Sequence, residues 1–238
     1  MILVQPWLGV DPTKPTWKVL LWVSQLGAIL AVIVCFWREL WTLTFRPARK
    51  DWRSHIVPKL LAAMAPTIVL ALLLHDWFEA NLENPVGIGV ALLVGAALMW
   101  WIDRAYRKSG DQTIEDISLT QAALIGVAQS VSMWPGISRS GASIMGGMMA
   151  GLTPRVATEF SFYLAIPTML AASAKTLWDY RNLLSTDSVA LVVVGTGVSF
   201  AVALLVVSAL LEFVKRYRFT VFVIYRVILG VAVLLFSR

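Results

Sequence analysis

Six stretches of the chain are predominantly apolar over close to a membrane's width. They cover residues 19–37, 60–74, 86–102, 158–174, 188–211 and 219–236. Each is near the ~20 residues that cross ~30 Å of hydrocarbon as helix, so six transmembrane helices are predicted. The second carries Pro66, which neighbouring helices in a membrane can accommodate. Polar segments separate the stretches. Arg38, Arg46, Arg49, Lys50, Arg53 and Lys59 fall in 38–59, whereas 75–85 has no Lys or Arg. Arg104, Arg107 and Lys108 fall in 103–119, and Lys215, Arg216 and Arg218 in 214–218. The positive-inside rule puts these basic segments in the cytoplasm and both termini outside.

One segment does not fit a simple alternation. Residues 119 and 153–157 must both lie inside, so 120–152 enters and leaves by the same face. It is too apolar for a surface loop and too short for two crossings, which need ~40 residues. Its centre is Trp134-Pro135-Gly136, a helix break. Each arm of about 15 residues would reach ~22 Å as helix. A re-entrant helical hairpin is predicted, its tip near mid-membrane. Such backbone is tolerated only where protein buries it or a water-filled cavity solvates it, which makes the tip a candidate site.

Composition agrees. The 238 residues are 58% hydrophobic and 14% charged, against roughly 25% charged in soluble domains. This excludes a soluble globular, disordered or disulfide-scaffold protein. It predicts an all-α polytopic membrane protein with a single integral membrane domain over 1–238. The net charge of +6 is read as basic loops at a membrane face, not as nucleic-acid binding. Cys35 has no intramolecular partner, and His55 and His75 form no metal-ligand cluster. Many of the Trp residues lie near span ends, as interfacial belts do. The stretch 1–18 is Pro-rich, and no cleavable signal peptide is expected.

The break suits an anion. Arg139 offers a planar fork of donors that matches phosphate. The second arm starts here, so free N–H groups and a helix dipole point at the tip. Gly136 and Gly141 permit close approach of a ligand, and Ser138, Ser140 and Ser143 add hydroxyls. The alternative roles are an N-cap for Ser138 or Ser140 and a carboxylate partner for Arg139. An arginine at mid-membrane is costly and rarely idle, which favours function for Arg139. Gln129, on the first arm, reads as a ligand or as a helix–helix hydrogen bond. Ser143, Gly147 and Gly151 recur every four residues, a stripe that lets another helix pack close. Glu159 and Arg226 stand at similar depths from the inner face. They are read either as a buried pair supporting the hairpin or, for Arg226, as a group facing the substrate cavity.

These residues resemble a known family. Gly126-Val127-Ala128-Gln129 and the run Trp134-Pro135-Gly136-Ile137-Ser138-Arg139-Ser140-Gly141-Ala142-Ser143 are similar to the PGxSRSGAT signature of bacterial undecaprenyl-diphosphate phosphatases of the bacitracin-resistance type. Glu159-Phe160-Ser161-Phe162 with Pro167, Tyr225-Arg226, and the run from Gln25 to Ala31 also look like family positions. The resemblance covers essentially the whole chain. It implies six spans, two re-entrant hairpins and an internal inverted repeat, of which 120–152 matches the second hairpin. It implies hydrolysis of undecaprenyl diphosphate to undecaprenyl phosphate and phosphate in the bacterial plasma membrane. That step recycles the lipid carrier of peptidoglycan synthesis and confers bacitracin resistance. Ser138 and Arg139 match the family's essential Ser-Arg, and Ser143 stands where Thr is usual. A divalent cation, Mg²⁺ or Ca²⁺, and a polyprenyl diphosphate lipid are the expected cofactor and partner; a homo-oligomer is left open.

The family's first motif, E-x-x-x-E followed by P-[VI]-S-S-T-G-H, has no match in these residues. The first Glu is Glu39 and the first His is His55, both in the segment read as cytoplasmic. A misassigned start, a truncated copy and a loss of activity are the three accounts of this. Arg139, the helix N-terminus and the serines supply charge stabilisation but no base. The second functional reading is therefore a non-catalytic protein that binds or translocates a polyprenyl phosphate.

Overall fold

A computed structural model describes residues 15–46, 51–73, 85–180 and 186–236. The regular structure among them is entirely helical. The helices are α1 (Pro15–Cys35), α2 (Trp37–Phe45), α3 (Ile56–Leu73), α4 (Pro85–Ala105), α5 (Leu119–Ser130), α6 (Arg139–Met149), α7 (Pro154–Tyr180), α8 (Thr186–Arg216) and α9 (Thr220–Phe236). The six apolar stretches are thus all helices: α1, α3, α4, α7, α8 and α9. Within them Val86–Ala105, Pro154–Thr176 and Val192–Arg216 have both the length and the apolarity to cross a membrane. Helices α3 and α9, of 18 and 17 residues, reach ~26 Å, close to the hydrocarbon thickness. The chain is a multi-pass, all-α membrane protein. His75 and the carboxylates Asp76, Glu79 and Glu83 lie outside the described residues.

Helix α2 lies where the sequence predicts only a cytoplasmic loop. Charge counting hides it, because Arg38 and Arg46 bracket an apolar core of Leu40, Trp41 and Leu43. Leu43 is buried, and Trp41 packs on Phe45 one turn on. A ring nitrogen of His55, Nδ1, lies 3.0 Å from the Thr44 carbonyl and ties the end of α2 to the next segment.

The chain forms two compact units. The first comprises Met1–Arg38 and Ala165–Leu210. Here Gly27 of α1 packs directly on the Thr196 carbonyl of α8, and Cys35 Sγ lies 3.9 Å from Ser208 Oγ. The paired positions rise together along both helices, so α1 and α8 run parallel. That is the direction the charge-based topology assigns to them. Gln25 belongs to this unit.

The second unit comprises Glu39–Leu164 and Leu211–Arg238 and contains the hairpin. Helices α4 and α9 pack antiparallel, with Gly89 against Leu234 and Gly230 against Leu93. Buried Asp103 fixes their shared end: its Oδ2 accepts the Phe219 N–H at 3.2 Å and its Oδ1 pairs with Arg107 at 2.8 Å. Helix α3 lies along α5. Gly126 seats on the Ala63 carbonyl and beside Pro66, and the Gly126 carbonyl accepts from Thr67 Oγ1 (3.0 Å) and Ser130 Oγ (2.9 Å).

Both feet of the hairpin stand together. Near the start of α5, the Ile114 and Glu115 carbonyls each accept from the fully buried Lys59 Nζ at 2.8 Å. Near the end of α6, the Ala150 carbonyl accepts from Gln121 Nε2 of α5 at 2.9 Å. Gln112 joins the same base through Gly151 (3.3 Å) and Thr153 (2.7 Å). The arms, 12 and 11 residues of α-helix, span ~16–18 Å and are too short to cross. The segment 120–152 therefore has the predicted re-entrant form.

Candidate active site

The tip is built by turn chemistry. Helix α5 tightens into a single 3₁₀ turn, Val131–Met133, and stops at Trp134. The Ile137 N–H returns to the Trp134 carbonyl at 3.1 Å, with Pro135 and Gly136 at the two central positions. Gly136 has φ +91°, the left-handed value that the third residue of a type II turn requires. Gly136 also approaches α4 closely: a Cβ there would stand 2.7 Å from the Ile88 carbonyl.

Ser138 then caps α6. Its Oγ accepts the Gly141 N–H at 3.1 Å, and its carbonyl accepts the Ala142 N–H at 2.8 Å. The first N–H groups of a helix have no intrahelical partner. With those of Gly141 and Ala142 taken, the N–H groups of Arg139 and Ser140 remain for a ligand. Ser138, Arg139 and Ser140 are all exposed at the tip. The capping role of Ser138 is real, and it leaves the hydroxyl proton free to donate outward.

The other predicted residues separate. Ser143 is buried, and its Oγ bonds Ser161 Oγ of α7 at 2.7 Å while returning to the Arg139 and Ser140 carbonyls. It links two helices, and with Gly147 seated on Ala157 it accounts for the small-residue stripe. Gln129 is also buried and does not reach the tip groove. Glu159 pairs with Arg155 one turn earlier, at 2.7 Å, and not with Arg226. Sequence spacing placed Glu159 and Arg226 at like depth but could not show which way each points. Nearby, fully buried Tyr163 donates to Glu39 Oε2 at 2.8 Å, a contact the sequence does not announce.

Arg226 instead supports the tip. Its Nη2 donates to the Gly136 carbonyl at 3.0 Å and reaches the Ala91 carbonyl at 3.5 Å. Gly95 of α4 makes the room, for a Cβ there would collide with Nη2. Nothing in the sequence marks Gly95 apart from other span glycines. The Arg226 Nε is buried and has no hydrogen-bond partner among the described residues. Arg226 and Ser138 both line a groove of about 240 Å³ between α4, α5 and α6. Among the described residues they are its only polar side chains; Gly141 also lines it, and no described Asp, Glu or His does.

A tip of this form, with Ser-Arg at a helix N-terminus inside a re-entrant hairpin, is what the family resemblance required. The family model described as bacitracin resistance protein BacA matches residues 1–232. The chain belongs to the BacA family. Relatives named undecaprenyl-diphosphatase share its sequence throughout. That of Flavobacterium johnsoniae is 40% identical over 240 residues, covering 99% of this chain and 86% of its own. That of Acinetobacter baumannii (strain AYE) is 40% identical over 214 residues, covering 90% and 79%. That of Enterococcus faecalis is 35% identical over 244 residues, covering 100% and 88%. Among the described residues of this BacA family member, no three His, Cys, Asp or Glu side chains come together to hold a metal ion.

Proposed function

We propose that the chain hydrolyses undecaprenyl diphosphate to undecaprenyl phosphate and inorganic phosphate in the bacterial plasma membrane, recycling the carrier lipid of cell-wall synthesis. The relatives' shared name supports the substrate. The observation that carries the chemistry is the placement of Ser138 and Arg139 at the exposed N-terminus of α6, at the tip of a short hairpin. The Arg139 fork and the N–H groups of Arg139 and Ser140 bind the terminal phosphate's oxygens, where charge is greatest in the transition state. The bond from the terminal phosphorus to the bridging oxygen breaks, and the oxygen of water ends on the released phosphate. Ser138, held by its cap, acts as nucleophile or as donor to the departing oxygen.

A second reading has one observation in its favour: among the described residues, no carboxylate or imidazole lines the tip groove to take a proton. On that reading the chain binds or translocates the lipid without cleaving it. Phosphate release from undecaprenyl diphosphate decides between them, with the full chain in detergent, with and without Mg²⁺ or Ca²⁺, beside Arg139→Ala. Release lost in the variant supports hydrolysis at the tip. Tight lipid binding without release supports the second reading.

A further inference from the structure

We propose that the groove between α4 and the hairpin arms seats the first isoprene units of the substrate's polyprenyl tail; this rests on the phosphatase reading and adds where the tail lies. The groove has the polarity of an amphiphile. Ser138 and Arg226 stand where the hairpin tip meets α4, and the lining from there to Ile102 and Met149 is apolar. From Ala91 to Ile102, α4 rises ~16 Å along the lane. Ser138 belongs both to this lane and to the anion-binding N-terminus of α6, so a head group held there has the lane as its continuation.

A second, independent observation comes from Arg226. The residue is 7% exposed, yet its Nε has no acceptor among the described residues. A buried donor left unpaired costs ~1–3 kcal/mol, and this one belongs to a guanidinium that lines this end of the lane. The lane also suits a methyl-branched chain in shape. Its floor is small, from Ala128, Gly141, Ala142 and Gly146, and Met99 and Met145 are flexible fillers that adapt to branches. At about 240 Å³ it lies below the ~300 Å³ at which pockets begin to engulf whole ligands. It therefore takes a length of a longer chain, leaving the rest in the bilayer. Lipid tails are as apolar as leucine, so this lane selects by shape and by head-to-tail register, not by hydrophobic transfer.

Two measurements on the full chain test this. In the first, Leu98→Trp narrows the lane one turn beyond Gly95, and Leu205→Trp serves as control on the exposed face of α8. KM for undecaprenyl diphosphate should rise about tenfold in Leu98→Trp, the low end of a methylene-scale misfit. KM for dimethylallyl diphosphate, a single isoprene unit, and both KM values in Leu205→Trp should stay at wild type. Equal KM values for the long substrate in all three proteins overturn the lane, as does an equal loss on both substrates. In the second, a polyprenyl diphosphate with a diazirine on its second isoprene unit is crosslinked to the protein. Label should fall within 92–102 or 141–149 and be displaced by undecaprenyl diphosphate but not by phosphatidylglycerol. Label elsewhere, or displacement by the phospholipid, overturns the proposal. If wild type releases no phosphate, the hydrolytic reading fails, and the crosslink still decides the lane.

Discussion

Replacing Gly95 with alanine tests whether Arg226 holds the hairpin tip. In an ordinary helix interior the change gains about 1 kcal/mol, because glycine carries more backbone entropy into the unfolded state. Here the new methyl falls on Arg226 Nη2. The guanidinium must withdraw, and its 3.0 Å bond to the Gly136 carbonyl is lost. A hydrogen bond from a charged group contributes about 1.5–3 kcal/mol, so the net expectation is a loss of about 0.5–2 kcal/mol. The midpoint of thermal unfolding in detergent should fall. Phosphate release should fall with it, since the freed carbonyl lies two residues before Ser138. In an Arg226→Met background there is no guanidinium to displace, so Gly95→Ala should recover the ordinary gain of about 1 kcal/mol. The reasoning is refuted if Gly95→Ala is as stable and active as wild type, or if it is equally harmful with and without the arginine.

Three further outcomes follow from the tip. Arg139→Ala should lower phosphate release by about 10²–10³-fold, the usual loss for one oxyanion donor, while the unfolding midpoint holds because the side chain is exposed. Ser138→Gly should keep stability within a few tenths of a kcal/mol, since glycine also caps helices, and yet lose activity. Activity at the wild-type level in this variant would remove the hydroxyl from the chemistry. Ser143→Ala should cost about 1 kcal/mol of stability through its lost bond to Ser161 and leave KM unchanged, as expected of a helix–helix link.

Much of the architecture was legible in one dimension. Transmembrane helices follow from apolar length, because the bilayer is a solvent of fixed thickness. The hairpin followed from the same arithmetic applied to 120–152, with Pro135-Gly136 marking where helix must stop. The turn and the cap at the tip were readable too, since N-capping and turn type are local properties. Helix α2 was hidden because bracketing arginines resemble a loop to any count of charge. That Ser143 meets Ser161 was hidden too, because spacing along a helix does not say which neighbour its face meets.

Direction is what tertiary packing decided. A sequence places Glu159 and Arg226 at like depth, but rotation about each helix axis determines that one meets Arg155 and the other Gly136. It likewise shows several glycines in a span without showing that one, Gly95, faces a guanidinium. The groove joining Ser138 to Ile102 exists only once α4 lies beside both arms, with small residues turned inward. Solvation and hydrogen-bonding demand act on each segment separately, so they can be read from its own residues. Mutual orientation arises from contacts between segments distant in the chain, and no local pattern records it.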